Sequence, residues 1–395
     1  MMGTLWAQSD SPEIPEFINW DDNVLYRDSD APLQGFFSSM DSLILLGDRK
    51  VSVLHLGDSH IQAGFFSNEV RVQFQRHFFL GNGGRGMVFP YKMARTNGPI
   101  NYGIDYRGNW DDCKLSAQRT DCKVGIAGYA AETRDTNSLI TVYVNHKAHN
   151  PNYTISRVKV FHETGPQALT PYLKDASVIE VISDSHYTEF VMLNDTDVVT
   201  LALRQDSMSQ QSFRFYGISL ENEDPGVVYH SFGVNGADIP DWLACPLLEE
   251  HLAALQPTLI IISLGTNDAY MKYFNKEEYL ANYKALMARL RKGAPNASII
   301  LTTPGDSYRY RRYYNSNNIA AREAVFDLAK AENLSVWDFF TVMGGPNSVY
   351  EWYKHGLASS DKLHLTQRGY QLKGKLLFEA IMRAYYQYLD QQQGE

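Results

Sequence analysis

Asp361-Lys362-Leu363-His364 sets a carboxylate three residues before a histidine. Within one turn such a carboxylate accepts the imidazole Nδ1–H, fixes the tautomer and leaves Nε2 free to deprotonate a serine. A serine suited to that role is Ser59, in Gly57-Asp58-Ser59-His60, which follows the strand-like run Val51–Leu56 and precedes a helical stretch. A residue at such a junction lies at the carboxyl edge of an α/β sheet, where open α/β folds place their ligands. Its backbone N–H stands at a helix N-terminus, which favours an oxyanion. Taken alone, the same serine also serves as a plain helix N-cap, and one tetrapeptide decides little.

Two further stretches end strands. Gly265-Thr266-Asn267-Asp268 closes the apolar run Leu259–Leu264, so Asn267 can aim its amide at the same edge. All four residue types also suit an ordinary turn. Gly233-Val234-Asn235-Gly236 follows the strand-like Val227–Ser231. Glycine there lets the backbone approach a ligand closely. Gly236 is a candidate N–H donor to the oxyanion, Gly233 is the alternative, and a turn without function is the third reading. The chain has 11 histidines, and a lone one is more often a surface or core residue. A DxxH that closes an α/β domain already holding GDSH and GTND fits that description poorly.

The elements that must hold these residues alternate strand and helix. Strands are expected at Val51–Leu56, Val227–Ser231, Leu259–Leu264, Ser298–Thr302 and Ser335–Trp337, the apolar ones typical of parallel strands covered on both faces. Phe66, Val70, Phe74 and Phe78 recur every fourth residue, one buried helical stripe. Further helices are predicted through Leu247–Leu255, over Lys276–Lys292 with a stop at Gly293 and Pro295, over Ile319–Glu332, and from Thr366, a plausible cap, to Leu389. Between about 96 and 222 the texture changes to short alternating runs: Leu139–Val144, Ser156–Phe161, Val178–Ile182, Val198–Leu203 and Ser212–Tyr216. That pattern is the signature of a β-sandwich inserted between the first two strands of the α/β unit. The expected architecture is therefore a three-layer α/β/α doubly wound parallel sheet, residues 1–95 and 223–395, with an inserted all-β sandwich at 96–222.

Composition narrows the function. Hydrophobic residues make up 44% and charged residues 21%, ordinary for a globular chain, which excludes collagen-like, coiled-coil and wholly disordered classes. No apolar run approaches the roughly 18 to 20 residues a membrane span needs. A net charge of −9 argues against nucleic acid as a partner. The 25 tyrosines fit binding area for flat polar ligands such as sugars, although sheet packing takes the larger share.

The four blocks, in this order and at strand ends, resemble the SGNH (GDSL-like) hydrolase family, whose sheet is flavodoxin-like. The resemblance covers the α/β part, somewhat over half the chain. It implies Ser59 as nucleophile, His364 as general base and Asp361 as its orienting carboxylate, with the Ser59 N–H, the Gly236 N–H and the Asn267 amide as oxyanion hole. His55-Leu-Gly-Asp-Ser-His-Ile-Gln-Ala-Gly-Phe-Phe66 and Gly81-Asn-Gly-Gly-Arg-Gly-Met87 are similar to the peptidoglycan O-acetylesterase branch. That branch also carries a sandwich similar to a carbohydrate-binding module between the first two blocks. The implied activity is a serine esterase that removes O-acetyl groups from a glycan, foremost the muramic acid C6 position of peptidoglycan, without metal or organic cofactor. Acetylated sialic acid or xylan are the alternative substrates, and a glycan-binding protein with a vestigial site is the alternative class.

Tyr308-Arg309-Tyr310-Arg311-Arg312-Tyr313-Tyr314-Asn315 packs three Arg and four Tyr into a loop that this fold puts at the active-site edge. Tyr308, Arg309, Tyr310, Arg311 and Arg312 are expected to stack on sugar rings and pair with a glycan carboxylate. A solvated loop is the competing reading. Two linkers would anchor the insert, so it is expected to shape the acceptor side of the glycan groove. Replacing it with a short linker should then spare small esters. Three cysteines are too few for a disulfide scaffold, with a Cys113–Cys122 bridge open in an oxidising compartment. Ala7-Gln8-Ser9 looks like the tail of a clipped signal, which points to an exported, periplasmic or envelope protein, expected to act as a monomer; a short disordered tail is the competing reading.

Overall fold

Alternate residues of a strand point to opposite faces of its sheet, so a strand apolar at every position needs cover on both sides. The structure, a computed structural model, describes residues 15–77, 80–117, 123–146 and 151–394. Ala7-Gln8-Ser9, Phe78 and Cys122 lie outside the described residues. Lys50–Gly57, Gly226–Gly233, Leu259–Ser263, Ser298–Thr302 and Ser335–Trp337 run parallel, and the two-residue strand Leu25–Tyr26 closes one edge antiparallel to Ser335–Trp337. Leu54, Leu56, Ile260 and Ile262 face a helix layer holding Leu252, Leu286, Leu290 and Leu328. Val51, Val53, Leu259 and Ile261 face the other layer, with Phe36, Met40, Phe66, Val70 and Ile381. This is the expected three-layer α/β/α sandwich.

Numbered along the chain, the parallel strands lie in the order 2-1-3-4-5. The order reverses between Lys50–Gly57 and Leu259–Ser263, and open α/β sheets bind ligands at such a switch point, beyond the strand carboxyl ends. Ser59 follows the first of these strands and Asn267 the second. The helices that return the chain are set by local signals. Lys276–Gly293 begins where the Asn275 side chain accepts the Glu278 N–H. Glu277 and Glu278 lie in its first turn and Arg291 and Lys292 in its last, the arrangement the helix dipole favours. Thr366 Oγ1 accepts the Gly369 N–H at 3.2 Å and so caps the terminal helix Gln367–Gly394.

Between the first two parallel strands the chain forms two antiparallel sheets. One runs in the order Val178–Ser183, Tyr187–Thr196, Ile155–His162, Phe213–Glu221, Tyr129–Thr133 and Asp111–Lys114. The other runs Gly103–Arg107, Leu139–Tyr143, Val198–Arg204 and Thr170–Lys174. Val158, Val160, Phe190 and Phe213 of the first share one core with Ile140, Val142, Leu201 and Leu203 of the second. Gly84–Val88, earlier in the chain than residue 96, also pairs with Phe213–Glu221. Its Gly86 has φ +78° and lies so close to the neighbouring strand that a Cβ would meet the Tyr229 carbonyl oxygen at 2.6 Å. The sheets do not hang free of the α/β unit. The ring of the buried His251, in helix Leu248–Leu255, lies tilted 4.9 Å from Phe161 and edge-on 5.5 Å from Tyr216, and its Nδ1 accepts the Ile126 N–H at 3.2 Å. Burial holds its pKa down at about 3, so it stays neutral.

Cys113 is disulfide-bonded and Cys245 is a buried free thiol. Among the described residues no helix is long and apolar enough to cross a membrane.

Candidate active site

Gly57 ends its strand and Asp58 turns the chain, its carboxylate capping the four-residue helix Ser59–Gln62 by accepting the His60 N–H at 2.9 Å. Ser59 is thereby the first residue of a helix, its N–H among those without an intrahelical partner. Across the site, Asp361-Lys362-Leu363-His364 forms a tight turn in which the Ser359 N–H donates to the His364 carbonyl and the Lys362 N–H to the Ser359 carbonyl. The turn brings His364 Nε2 to 3.1 Å from Ser59 Oγ and His364 Nδ1 to 2.8 Å from Asp361 Oδ2. The other carboxylate oxygen accepts the N–H groups of Leu363 and His364, both at 3.0 Å. Burial opposes the charge on Asp361, but these hydrogen bonds outweigh it and hold its pKa well below the usual carboxylate range. In turn the hydrogen bond to Asp361 raises the His364 pKa against the opposing effect of burial.

The two other strand-end blocks meet beside this line. Asn267, in the short helix Thr266–Tyr270, donates its amide to the Ala237 carbonyl at 2.8 Å. That bond lays the Asn267 side chain against the turn that carries Gly236. Gly236 has φ +78°, the left-handed conformation that glycine adopts without strain, and a Cβ there would point into open space. Gly233, the alternative donor, is buried at the end of its strand opposite Gly57, where a Cβ would meet the Asp58 carbonyl oxygen at 2.5 Å. The exposed Gly236, not Gly233, stands where a ligand can reach it.

The Tyr/Arg stretch is a β-hairpin of Tyr308–Arg309 and Tyr313–Tyr314, turned through Tyr310 and Arg311 at φ +52° and +65°. It docks on the blocks themselves. The Tyr310 N–H donates to the Tyr270 hydroxyl at 2.9 Å, and Lys362 Nζ donates to the Arg311 carbonyl at 3.2 Å. Tyr310 is 71% and Tyr313 58% exposed, so the hairpin presents aromatic faces at the rim. Arg312 follows the turn, its N–H donating to the Arg309 carbonyl at 3.1 Å.

Several further residues, some of them inside the motifs quoted above, have contacts in the site that the motifs do not specify. His60 pairs its Nδ1 with the Tyr370 hydroxyl at 2.8 Å, and its ring lies 5.3 Å from that of His364. Burial pushes its pKa well below the usual histidine value, so it packs as a neutral ring. His55 bridges strands, with Nδ1 2.7 Å from the Tyr229 hydroxyl and Nε2 2.8 Å from Ser263 Oγ. Lys373 is buried beneath the site with its Nζ over the rings of Phe66 and Phe339, and burial lowers its pKa to about 8 against the pull of Asp58. Burial raises Asp58 to about 6. Lys362, Tyr350 and Tyr353 extend the rim, the Lys362 ammonium lying 5.7 and 5.8 Å from the two rings. His55, Asp58, His60 and Lys362 stand in the quoted motifs and Lys373, Tyr350 and Tyr353 do not, but a long-range packing partner has no local motif, so none of these contacts was legible.

The model of the GDSL-like Lipase/Acylhydrolase family matches residues 203–372, a segment that holds Gly236, Asn267, Asp361 and His364. Ser59 lies ahead of it, on the other side of the antiparallel sheets in sequence. A solved peptidoglycan O-acetylesterase superposes on 92% of this chain and 99% of its own with a TM-score of 0.75, at 18% identity. The chain shares the fold of that esterase. Two partial overlaps are with the lipase/acylhydrolase from Enterococcus faecalis (24% identity, 40% of this chain, 76% of that one, TM-score 0.33) and the acetyl xylan esterase AlAXEase (17%, 39%, 80%, 0.32). No curated protein sequence matches the chain. Ser59, Gly236, Asn267, Asp361 and His364 converge at the carboxyl edge of the parallel sheet, at its switch point. Among the described residues no cluster of His, Cys, Asp and Glu has the form of a metal site.

Proposed function

We propose that this protein is a serine esterase that removes O-acetyl groups from a glycan, with the muramic acid C6 acetyl of peptidoglycan as first substrate. One observation carries the reading: Ser59 Oγ, His364 and Asp361 stand in a hydrogen-bonded line of 3.1 and 2.8 Å. Ser59 Oγ attacks the acetyl carbonyl carbon while His364 Nε2 takes its proton, and Asp361 stabilises the imidazolium. The oxyanion is received by the N–H groups of Ser59 and Gly236 and the second amide hydrogen of Asn267. The intermediate collapses, the C–O bond to the sugar breaks, and His364 returns the proton to the leaving hydroxyl. Water then gives a proton to His364 and attacks the acetyl-Ser59 carbonyl, the bond from the carbonyl carbon to Ser59 Oγ breaks, His364 returns the proton to Ser59, and acetate leaves.

In this reading residues 1–95 and 223–395 form the catalytic unit, and 96–222 are an inserted sandwich. Tyr308, Arg309, Tyr310, Arg311 and Arg312 bind the glycan strand at the rim, where Lys362 adds a further cation. The match to the acylhydrolase family and the shared fold with a peptidoglycan O-acetylesterase support the activity and the glycan class. An exported location follows from that substrate. The deciding experiment compares acetate release from O-acetylated peptidoglycan, acetylated xylan and acetylated sialoglycan. Faster release from either of the other two reassigns the substrate. No release from any of them, nor from p-nitrophenyl acetate, leaves a glycan-binding protein with a vestigial site.

A further inference from the structure

The turn that carries Gly236 is gripped by groups from the antiparallel sheets and the loop leading into them. The Asn235 carbonyl accepts from Lys114 Nζ at 2.8 Å and from Ser116 Oγ at 3.3 Å. The Asn235 N–H donates to Gln62 Oε1 at 2.6 Å, which also accepts the Tyr129 hydroxyl at 2.7 Å. The Asn235 amide donates to Asn97 Oδ1 at 2.7 Å and to Thr96 Oγ1 at 3.3 Å. Gln62, in the Ser59 helix, donates to Thr96 Oγ1 and to the Asn97 carbonyl at 3.0 and 2.6 Å.

The carbonyl of Asn235 and the N–H of Gly236 belong to one peptide unit. None of the described peptide bonds is cis, so that plane carries C=O and N–H in opposite directions. Whatever fixes the Asn235 oxygen therefore aims the Gly236 hydrogen. A glycine on one side of the plane gives the peptide rotational freedom that must be restrained elsewhere. A hydrogen bond from an ammonium to the carbonyl restrains it more strongly than a neutral donor would. Such a bond also polarises the amide, so that the N–H opposite becomes a better donor. Lys114 is half-buried, and burial lowers its pKa while Asp241 opposes the shift.

We propose that Lys114, assisted by Ser116, is a positioning residue that orients and polarises the Gly236 N–H of the oxyanion site. The inference rests on the esterase reading of that site. It gives the strand Asp111–Lys114 a part in the chemical step, separate from any contact with glycan. Lys114→Met should then lower kcat on p-nitrophenyl acetate about tenfold, less than the 10² to 10³ typical of losing a whole donor, with KM changed by no more than about twofold. Lys114→Arg keeps a cation within reach of the carbonyl and should recover most of that loss. Ser116→Ala should cost about two- to threefold in kcat. Circular dichroism and thermal melts on each variant report the fold. If Lys114→Met does not fold, Lys114→Arg and Ser116→Ala decide the matter on kcat. Unchanged kcat in Lys114→Met, a fall in kcat that Arg does not recover, or an effect confined to KM overturns the proposal. Hydrolysis that persists at the wild-type rate in Ser59→Ala overturns the esterase reading instead.

Discussion

The Tyr308 N–H donates to the Lys362 carbonyl at 2.8 Å, which fastens the Tyr/Arg hairpin to a residue lying between Asp361 and His364. The rim and the proposed base thus share one piece of backbone. Deleting the hairpin would disturb His364 itself, so only side-chain changes at its tip separate binding from chemistry.

Tyr310 and Arg311 sit at that tip, which meets its neighbours through backbone hydrogen bonds to Tyr270 and Lys362 and through an edge-on contact of the Tyr310 and Tyr270 rings, 5.8 Å apart. Tyr310→Ala with Arg311→Ala should raise KM for polymeric acetylated glycan about three- to tenfold, the loss of one stacked ring and one charge-assisted contact. Turnover of p-nitrophenyl acetate should stay within twofold of wild type. Equal effects on both substrates would mean that the hairpin only supports the fold.

Ser59→Ala should remove esterase activity while leaving the melting temperature near that of wild type, because Ser59 is the proposed nucleophile and its side chain is half-buried. Retention of a tenth of the wild-type rate in a pure preparation would end the assignment. Asn267→Ala should lower kcat by about 10² to 10³ with little change in KM, as expected for a donor used mainly in the transition state. An effect mostly on KM would place Asn267 on the ground-state substrate.

The strand-end blocks were legible because each is short, local and attached to an apolar run. Ser298–Thr302 and Ser335–Trp337 occupy the stretches that periodicity predicts. Leu25–Tyr26 was not legible, since two residues cannot show a period. Nor was Gly84–Val88, whose glycines argue against a strand until the close approach of Glu221 to Gly84 and of Tyr229 to Gly86 explains them. Phe213–Glu221 runs well past the expected Tyr216 because its far half pairs with Gly84–Val88. Lys114 and Gln62 could not be found from sequence at all. Each acts on Asn235 across 121 and 173 residues of chain, a distance only the folded register closes.

Those contacts change what excision should do. A freely linked insert could be replaced by a short linker with small-ester hydrolysis intact. Residues 96–222 instead include Thr96, Asn97, Lys114, Ser116 and Tyr129, which hold the Gly236 turn and Gln62, and Phe161 and Tyr216, which cover His251. A chain with 96–222 replaced by a Gly/Ser linker should lose p-nitrophenyl acetate turnover by about 100-fold or more, comparable to losing an oxyanion donor. Full small-ester activity in a folded truncation would show that the catalytic turn holds its shape unaided.

The pH profile tests the His364–Asp361 pairing. The base must be neutral to accept the Ser59 proton, so activity is lost as pH falls through the His364 pKa. The Asp361 hydrogen bond and charge favour the imidazolium and raise that pKa, with burial opposing. The acid limb of kcat/KM, which reports the free enzyme, should therefore have its midpoint above the ordinary histidine value of about 6.5. His60 should add no second limb, because burial keeps it neutral across this range. Asp361→Asn removes the charge and the preferred acceptor. It should move the limb to lower pH and reduce kcat by about 10⁴ if the wrong tautomer is then held, as in other serine triads. A wild-type midpoint below 6.5, or a limb that stays in place in Asp361→Asn, would mean that another group governs the acid side.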